Sequence, residues 1–557
     1  MPGAVRYFVI TVAAALLFLP FLGAVHLFDW DEINFAECAR EMIVTKDYLR
    51  VQVDFQPFWE KPPLFIWLQV ICMKLFGINE YAARLPNALT GIATLLTLFY
   101  VGKRVFNEKM ATWWVALYAA TWLPHFYFKS GIIDPVFNLF IFLGIFQIYL
   151  VRQGTQKVLH ALLAGAFIGL AVLTKGPVAI LVTILAAIVY VIINKGLWGY
   201  KIKHILLIAL AAVVVTASWF GVEIIGHGWG LMKEFIEYQA GLFNQNIADH
   251  EEPWYYHPIV LLIGCFPASL FLFQFSRKRV TENEPARDFT RWMWILFWVV
   301  LILFSIVKTK IVHYSSLCYF PLTYLAAVQL YRLGNNDEQI KSGVKTLLLV
   351  IGSLLAIVIT ALPFVGMNKE KLIPYIQDPF AVGNFQAAVP WHWTESIWGF
   401  LYLAGIWICV LMMRRQFRMS MIALCILQIL IIQVTVLHFT PKIEAFSQRA
   451  AIDFYKQFEG KDVYVQVLDY KSYAHLFYTK KQPSTNPNYV TPEVIITEKK
   501  DTIVTKKLIP NEQWLLTGAV DKPTYFACKI QDAEKFRKMP TLTEIGAKNG
   551  FVFFKRR

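Results

Sequence analysis

The strongest constraint on this chain is a series of mainly apolar runs, each about as long as a lipid bilayer is thick. A spanning helix needs roughly 17 to 25 such residues, and the sequence contains about thirteen runs of this kind. They lie near residues 7–28, 83–104, 110–128, 132–151, 159–174, 177–194, 204–225, 257–276, 292–307, 313–331, 346–365, 396–413 and 419–438. Because lipid offers the backbone no hydrogen-bond partners, these runs predict a polytopic α-helical membrane protein.

Composition and charge placement exclude several other classes of protein. Of the 557 residues, 57% are hydrophobic and 16% are charged, which is too apolar for a soluble enzyme of this size. The net charge of +15 lies mainly in short breaks between apolar runs, so membrane topology explains it and nucleic-acid binding is not predicted. The seven cysteines form no C-x-x-C pair, so neither a zinc site nor a disulfide framework is predicted.

The distribution of lysine and arginine predicts which loops face the cytoplasm. Alternate loops are rich in these residues, near 103–109, 152–157, 195–203, 277–279, 332–345 and 414–418. The positive-inside rule makes these loops cytoplasmic, so the remaining loops, including the long first loop 29–82, are external. The run 7–28 is expected to stay as the first span, since it is longer than a signal-peptide core.

The composition changes to that of a soluble protein from about residue 440. We therefore predict a membrane domain over residues 1–439 and a small external α/β domain over residues 440–557. In that second domain the sequence predicts a helix near 443–458 and strands near 463–468, 494–498, 514–517 and 551–555.

Acidic residues stand where the first predicted span ends. Asp31 and Glu32 open a helix-like stretch, and negative charge at a helix start complements the helix dipole. Charge at a membrane boundary is costly unless it serves a partner or a water-filled cavity, so this pair is a candidate functional site. Further along, Glu37, Arg40 and Glu41 are expected to form surface pairs worth roughly a few tenths of a kcal/mol each.

The stretch that begins with Glu60 and Lys61 repeats this arrangement ahead of the apolar run 64–76. Pro62 and Pro63 suit the start of a helix, and the run is expected to lie along the membrane surface rather than to cross it. Lys61 either reaches the lipid head groups or binds a ligand, and the residues alone leave both alternatives open.

Two further charges lie at the outer ends of predicted spans, Asp134 in GIIDP and Lys175 in LTKGPVA. A charge at the centre of a spanning helix costs roughly 2.5 to 3.5 kcal/mol, and less near the interface, so both side chains are expected to face protein. Further polar groups on the same external side are His250, Lys308, Lys310, His313 and Tyr314. A single histidine in such a position is more often structural than a metal ligand.

The acids and lysines of these segments all lie on one side of the bilayer, at the ends of different helices. One chemistry that needs such a site is the transfer of a group from a membrane-anchored phosphate carrier. Lysines would neutralise the phosphate leaving group, and a carboxylate would orient or deprotonate the acceptor. The apolar helix after Glu60 and Lys61 would lie where the lipid tail of the carrier enters.

The motifs WDEINFAECAREM, EKPPLFIW, FGINEYAARLP, GIIDP and LTKGPVA, in this order, resemble the GT-C glycosyltransferases that use polyprenyl-phosphate sugars. The likeness is to the lipid A aminoarabinose transferases and the related protein O-mannosyltransferases. The motifs cover about the first 180 residues. The resemblance implies a GT-C fold and a bacterial inner-membrane protein whose active site and C-terminal domain face the periplasm.

The activity implied by the resemblance is an inverting transfer of a sugar from undecaprenyl phosphate, or another polyprenyl phosphate, to lipid A, another envelope glycan or lipid, or a protein Ser/Thr. By their positions in the motifs, Asp31 matches the catalytic acid of the family and Asp134 matches its second acid. Lys61 and Lys175 match the lysines that contact the carrier phosphate. The full predicted catalytic set is Asp31, Glu32 and Asp134, and the predicted substrate-binding set is Glu60, Lys61, Arg84, Lys175, His250, Lys310 and Tyr314.

The sequence also departs from the aminoarabinose transferases. Asn34 and Phe35 stand where an Arg-Tyr pair is usual, and the loop near His250 lacks an expected arginine. These changes leave the sugar and the acceptor open, and a divalent metal ion is the one cofactor that the resemblance leaves open.

Two other classes of protein compete with the enzyme. A transporter or lipid flippase would use the external charges as a gate, but such proteins usually carry ionisable residues near the bilayer midplane and inverted repeats, and the sequence shows neither. A membrane-anchored assembly factor would work through residues 440–557 alone.

Overall fold

Helices form most of the structure, and they occur where the apolar runs predict them. The computed structural model describes residues 3–58, 60–197, 199–244, 252–274, 283–335, 339–497 and 502–557. Up to residue 434 the helices are α1 (Gly3–Phe18), α2 (Asp31–Thr45), α3 (Leu64–Phe76), α4 (Glu80–Val105), α5 (Glu108–Ala119), α6 (Trp122–Tyr127), α7 (Asp134–Gln153), α8 (Lys157–Lys175), α9 (Val178–Ile193), α10 (Ile202–His227), α11 (Gly230–Asn244), α12 (Tyr256–Gly264), α13 (Glu284–Ile306), α14 (Tyr319–Gly334), α15 (Ser342–Met367), α16 (Pro379–Phe385), α17 (Ile397–Met412) and α18 (Phe417–Val434).

The described residues include eight helices that are long and apolar enough to cross a membrane. These are α4, α7, α8, α10, α13, α15, α17 and α18, the last two together with short helical segments that adjoin them. A ninth span results if α12 and the 3-10 helix Ala268–Gln274, bent by 106°, are counted as one. Helices α1, α3 and α9 are apolar but shorter. The protein is therefore an integral membrane protein, and the total of thirteen spans stays a prediction.

The C-terminal region contains the remaining helices and a mixed sheet. Its elements are α19 (Thr440–Glu444), α20 (Arg449–Lys456), α21 (Ala474–Thr479), α22 (Glu512–Thr517) and α23 (Ala533–Arg537), with strands β3 (Tyr464–Leu468), β4 (Val490–Thr497), β5 (Thr502–Pro510), β6 (Thr524–Lys529), β7 (Leu542–Lys548) and β8 (Phe551–Arg556). The short strands β1 (Gln52–Val53) and β2 (Gln56–Pro57) lie in the first loop. The sheet order is β3-β6-β8-β7, with β3 and β6 parallel and the other pairs antiparallel, and β4 and β5 form a separate hairpin.

The strand predicted near 514–517 is wrong, because this segment is the helix α22. The side chain of Asn511 accepts a hydrogen bond from the backbone N–H of Trp514, which caps the helix start. The single helix predicted near 443–458 is divided into α19 and α20. The strands predicted near 463–468, 494–498 and 551–555 coincide with β3, with β4 as far as residue 497, and with β8.

One face of the C-terminal sheet belongs to the apolar core that also contains residues of the membrane helices. Side chains alternate between the faces of a strand, so on β8 Phe551 and Phe553 belong to the core shared with the membrane helices, whereas Val552 and Phe554 belong to a second core. The ring of Phe553 stacks on Phe454 of α20 with centroids 4.1 Å apart. The C-terminal region is therefore continuous with the rest of the molecule.

Hydrogen bonds join the C-terminal region to the segment that precedes α2. The backbone N–H of Leu27 donates to the Tyr478 hydroxyl at 2.8 Å, and that of Asp29 donates to the Gln448 side chain at 3.0 Å. In return, the Asp29 carboxylate accepts from the backbone N–H of Tyr473 at 3.2 Å. These contacts fix the start of α2, and with it the position of Asp31.

Candidate active site

A cavity of about 690 Å³ lies where α2, the start of α7, the turn between α8 and α9, the segment after α13 and the C-terminal region meet. Small-molecule sites commonly measure about 300 to 1,000 Å³. The polar residues that line the cavity are Asp31, Asn34, Glu60, Lys61, Asp134, Asn138, Lys175, Gln239, Thr309, His313, Tyr314, Lys471 and Tyr473. The cavity thus gathers most of the predicted site residues from separate parts of the sequence.

Asp134 and Lys175 form a buried ion pair at two helix ends. Asp134 is the first residue of α7 and Lys175 the last of α8, which are the helix ends where the dipole favours an acid and a base respectively. Their side chains meet at 2.5 Å, with 3% of the Asp134 side chain exposed. Gly176, at a φ of 97°, then turns the chain into α9 in a conformation that glycine adopts readily.

His313 lies between the two predicted catalytic aspartates. Its Nε2 is 3.6 Å from a carboxylate oxygen of Asp31 and 3.9 Å from one of Asp134. It belongs to the 3-10 helix Val312–Cys318, which precedes α14. Asp31 is the more open of the two acids, with 44% of its side chain exposed. The His313 imidazole therefore lies between the accessible carboxylate of Asp31 and the buried carboxylate of Asp134.

Glu60 and Lys61 reach the cavity from the segment between β2 and α3. The backbone carbonyl of Glu60 accepts a hydrogen bond from the Gln239 side chain of α11 at 3.5 Å. Lys61 lines the main cavity and also an adjoining recess next to Trp219 and Phe235. Lys61 and Lys175, the two lysines predicted to contact a phosphate, therefore line the same cavity.

The rest of the cavity wall is apolar. Val178 and Val182 of α9 line it, together with Phe137 and Phe304 from the spanning helices α7 and α13. The ammonium group of Lys175 lies 5.1 Å from the ring centroid of Tyr314 and 5.7 Å from that of Phe137. The site therefore offers a cation beside an apolar surface, a combination that suits a lipid phosphate.

Three of the predicted site residues that the structure describes, Glu32, Arg84 and Lys310, do not line the cavity. Glu32 and Arg84 form a buried pair behind it, with two contacts of 2.7 and 2.8 Å. Lys310 is 8% exposed and is not among the lining residues, although its neighbours Thr309 and Ile311 are. His250 lies outside the described residues.

The expected surface pairs of α2 are a wrong prediction, because Glu37, Arg40 and Glu41 are completely buried. Arg40 donates two hydrogen bonds to Glu37 at 2.6 and 2.7 Å. Glu41 accepts from the backbone N–H groups of Asp54 and Phe55, which form the turn between β1 and β2. Burial, reinforced by the neighbouring Glu37, raises the pKa of the Glu41 carboxyl well above its usual range.

The same cluster extends to the C-terminal region. The backbone carbonyl of Lys481 accepts a hydrogen bond from Arg40 at 2.7 Å, and the Lys481 ammonium group contacts both Asp54 and the Tyr489 hydroxyl. Although burial alone would lower it, the pKa of Lys481 is raised, because the Asp54 carboxylate stabilises the ammonium form. This cluster joins α2, the first loop and the C-terminal region.

In the part of the chain that the structure describes, no group of three or more His, Cys, Asp or Glu side chains is arranged to hold a metal ion. All seven cysteines are free and buried. The divalent ion that the resemblance leaves open therefore stays a prediction.

Sequence reasoning missed several residues of the cavity. His313 carried a signal, since it stands in the polar segment with Lys310 and Tyr314, but a single histidine in such a segment is usually structural. Lys471 and Tyr473 carried none, because they belong to a region more than 400 residues away from Asp31 and no local pattern links the two. Asn138 and Gln239 likewise look like ordinary polar residues of helices.

The molecule has the GT-C glycosyltransferase fold. The structure of ArnT from Cupriavidus metallidurans bound to undecaprenyl phosphate matches it with a TM-score of 0.76, at 18% identity, over 99% of this chain and 98% of that one. The predicted fold class, a polytopic helical membrane protein with a C-terminal α/β domain, is confirmed.

Sequence comparisons agree with the fold. The family described as dolichyl-phosphate-mannose-protein mannosyltransferase matches residues 60–219. The undecaprenyl phosphate-alpha-4-amino-4-deoxy-L-arabinose arabinosyl transferase of Edwardsiella ictaluri is 26% identical over 66% of this chain and 65% of its own length, which is just under two thirds. The protein of the same name from Pseudomonas aeruginosa is 24% identical over 72% of this chain and 73% of its own length. The resemblance to the GT-C enzymes that use polyprenyl-phosphate sugars is thereby confirmed.

Proposed function

We propose that the protein is a membrane glycosyltransferase that moves a sugar from undecaprenyl phosphate to an acceptor on the periplasmic side of the bacterial inner membrane. The observation that carries the proposal is the cavity, in which carboxylates, lysines and a histidine face an apolar wall. The relatives with aminoarabinosyl transferase names support this donor chemistry.

In the proposed reaction, Lys61 and Lys175 bind the phosphate that links the lipid to the sugar. The bond between the anomeric carbon and the phosphate oxygen breaks, and its electron pair leaves with undecaprenyl phosphate. The two ammonium groups stabilise the negative charge that develops there. Because Lys175 is already held by Asp134, its position is set before the donor arrives.

Asp31 acts on the acceptor oxygen, which forms the new bond to the anomeric carbon from the opposite face, so the configuration inverts. Where the acceptor is a hydroxyl, its proton passes to the Asp31 carboxylate. Where the acceptor is a phosphate that is already ionised, Asp31 positions it. His313 lies 3.6 Å from Asp31 and orients that carboxylate in either case.

The acceptor that we propose is a phosphorylated envelope glycolipid, and lipid A is the one that the resemblance names. Mass spectrometry of lipid A and of envelope glycoproteins, from cells with and without the protein, separates this acceptor from a protein Ser/Thr. Loss of a sugar from lipid A supports the glycolipid, and loss from peptides replaces it by a protein acceptor.

The reaction itself is tested with the purified full-length chain in detergent micelles, supplied with undecaprenyl phosphate-linked aminoarabinose and lipid A. Micelles have no two sides, so an enzyme releases undecaprenyl phosphate and forms glycosylated lipid A there, whereas a flippase has no measurable activity. If the folded protein binds undecaprenyl phosphate but forms no product with any acceptor, the proposed function is wrong.

A further inference from the structure

The C-terminal region supplies part of the cavity wall, and the donor chemistry described above does not use it. Lys471 and Tyr473 line the cavity next to Trp30, the residue before Asp31. The Lys471 ammonium group lies 5.2 Å from the centroid of the Trp30 ring and 5.6 Å from that of Tyr473. Two aromatic rings from different regions of the chain therefore hold one cation at the cavity surface.

Lys471 differs from Lys175 in the groups that surround its ammonium group. The Lys175 ammonium group is paired with Asp134, whereas no carboxylate pairs with Lys471 among the described residues. Aromatic rings attract a cation without neutralising it, so the ammonium group can still form a charge-assisted hydrogen bond with an anion.

Trp30 has an unusual backbone conformation and an exposed side chain. Its φ of 75° and ψ of −115° lie in a region that bulky residues rarely adopt, and 58% of the residue is exposed. The Asp29 carboxylate accepts from the backbone N–H of Trp30 at 2.9 Å and also from that of Tyr473. A contact between the first loop and the C-terminal region thus holds the conformation, as is typical of strained residues at functional sites.

A chain of contacts links the two lysines through the surroundings of Asp31, and all three residues line the same cavity. Lys175 pairs with Asp134, His313 lies between Asp134 and Asp31, and Lys471 lies over Trp30, which adjoins Asp31. Resting on the proposed function, we propose that Trp30, Lys471 and Tyr473 form the acceptor subsite, in which Lys471 binds a phosphate group of the acceptor glycolipid. The donor phosphate, held by Lys61 and Lys175, and the acceptor phosphate, held by Lys471, then share the cavity that Asp31 lines.

The test compares K471Q with the matched control K529Q in the full-length protein. Lys529 also belongs to the C-terminal region and also lies near two aromatic rings, Phe380 and Tyr470, but it does not line the cavity. We expect K471Q to raise the KM for lipid A roughly tenfold, as the loss of one charge-assisted contact does, with kcat nearly unchanged. K471R should restore most of the affinity, and dephosphorylated lipid A should show little difference between K471Q and the unaltered protein.

Direct binding measurements separate this inference from the proposed function. Undecaprenyl phosphate and lipid A are each titrated into the protein in nanodiscs. K471Q should bind undecaprenyl phosphate normally and lipid A more weakly, and K529Q should bind both normally. Equal lipid A binding and equal KM in K471Q and K529Q would overturn the acceptor subsite even if transfer is observed. If the unaltered protein transfers no sugar, the proposed function fails, and the lipid A binding of the two variants still decides whether Lys471 binds the phosphorylated lipid.

Discussion

Asp31 and Glu32 are neighbours in the sequence and share the first turn of α2, but their surroundings are opposite. Glu32 accepts hydrogen bonds from Arg84, from the backbone N–H of Phe28 at 2.8 Å and from that of Gly131 at 2.5 Å, and it is 3% exposed. Asp31 has 44% of its side chain exposed, and its closest ion-pair contact is His313 at 3.6 Å.

The comparison distinguishes a structural carboxylate from one that is free to act on a substrate. The oxygens of Glu32 are occupied by donors, and Arg84 also donates to the backbone carbonyls of Leu22, Val25 and His26. This network ties α4 to the end of the first apolar segment. Asp31 instead faces a cavity large enough for a ligand. A carboxylate whose hydrogen-bonding capacity is already filled is poorly placed to accept a proton or bind an acceptor.

The largest effect is expected from Asp31→Asn. Where the acceptor is a hydroxyl, an amide cannot accept its proton, so transfer should fall by about a thousandfold, within the range for loss of a general base. The melting temperature and the binding of undecaprenyl phosphate should stay close to those of the unaltered protein, because Asp31 is half exposed. Normal turnover by the folded variant would remove Asp31 from the proposed mechanism.

Glu32→Gln should instead reduce stability. Breaking a buried ion pair leaves Arg84 without its counter-charge and commonly costs about 3 to 5 kcal/mol of unfolding free energy. Denaturant unfolding in detergent measures this loss, with Glu80→Gln as the control. Glu80 pairs with Lys456 at 3.8 Å in a more open position, so its loss should cost under about 1 kcal/mol. A stable Glu32→Gln protein without transfer activity would give Glu32 the catalytic role that the sequence predicts.

Lys61→Gln tests whether Lys61 binds the phosphate of the donor. Loss of one cation next to the phosphate should weaken undecaprenyl phosphate binding roughly tenfold, and the effect should shrink at high salt. Lys46→Gln is the matched control, since Lys46 is an exposed lysine of the same loop that does not line the cavity. Titration of the lipid in nanodiscs measures both variants. Equal affinities would favour the alternative in which Lys61 only contacts head groups.

A dependence of stability on pH is expected from His475, which lies in the C-terminal helix α21 that packs against α2. Burial, together with the nearby Lys481 charge, lowers the pKa of His475 from 6.5 to about 3. Below pH 6.5 the unfolded chain binds a proton that the folded chain excludes, so the free energy of unfolding falls as pH decreases from 6.5 towards 3. The slope approaches about 1.4 kcal/mol per pH unit well inside that window.

Thermal unfolding between pH 7 and 4 checks this effect by comparing the unaltered protein with His475→Asn. In the His475→Asn variant, the melting temperature should fall less between pH 7 and 4 than it does in the unaltered protein. In His392→Asn, at an exposed position, it should fall by the same amount as in the unaltered protein. The same decrease in the His475 variant as in the unaltered protein would assign the acid sensitivity to other groups.

The sequence predicts those parts of the site that depend on local pattern. Asp134 and Lys175 were identifiable because charges at the ends of apolar runs are costly, and the structure brings them within 2.5 Å of each other. Asp31, Glu60 and Lys61 likewise reach the cavity. The fold class followed from the apolar runs, since each run fixes its own helix.

Features that depend on distant contacts could not be predicted in this way. Nothing near Glu37, Arg40 and Glu41 in the sequence shows that Lys481 and the turn after β1 will cover them, so they looked like surface residues. Glu32 and Arg84 are 52 residues apart, and their pairing excludes them from the cavity lining. The helix α22 was mistaken for a strand because its apolar residues form too short a run to show a period.

The hydrogen bond from Leu27 to Tyr478 joins residues that are 451 positions apart. A ribosome therefore makes these two parts of the cavity wall at widely separated times. Until the segment with Gln448, Tyr473 and Tyr478 has been made and folded, the stretch before α2 lacks the contacts that fix it. We expect a chain that is terminated before this segment to insert into the membrane without a finished cavity.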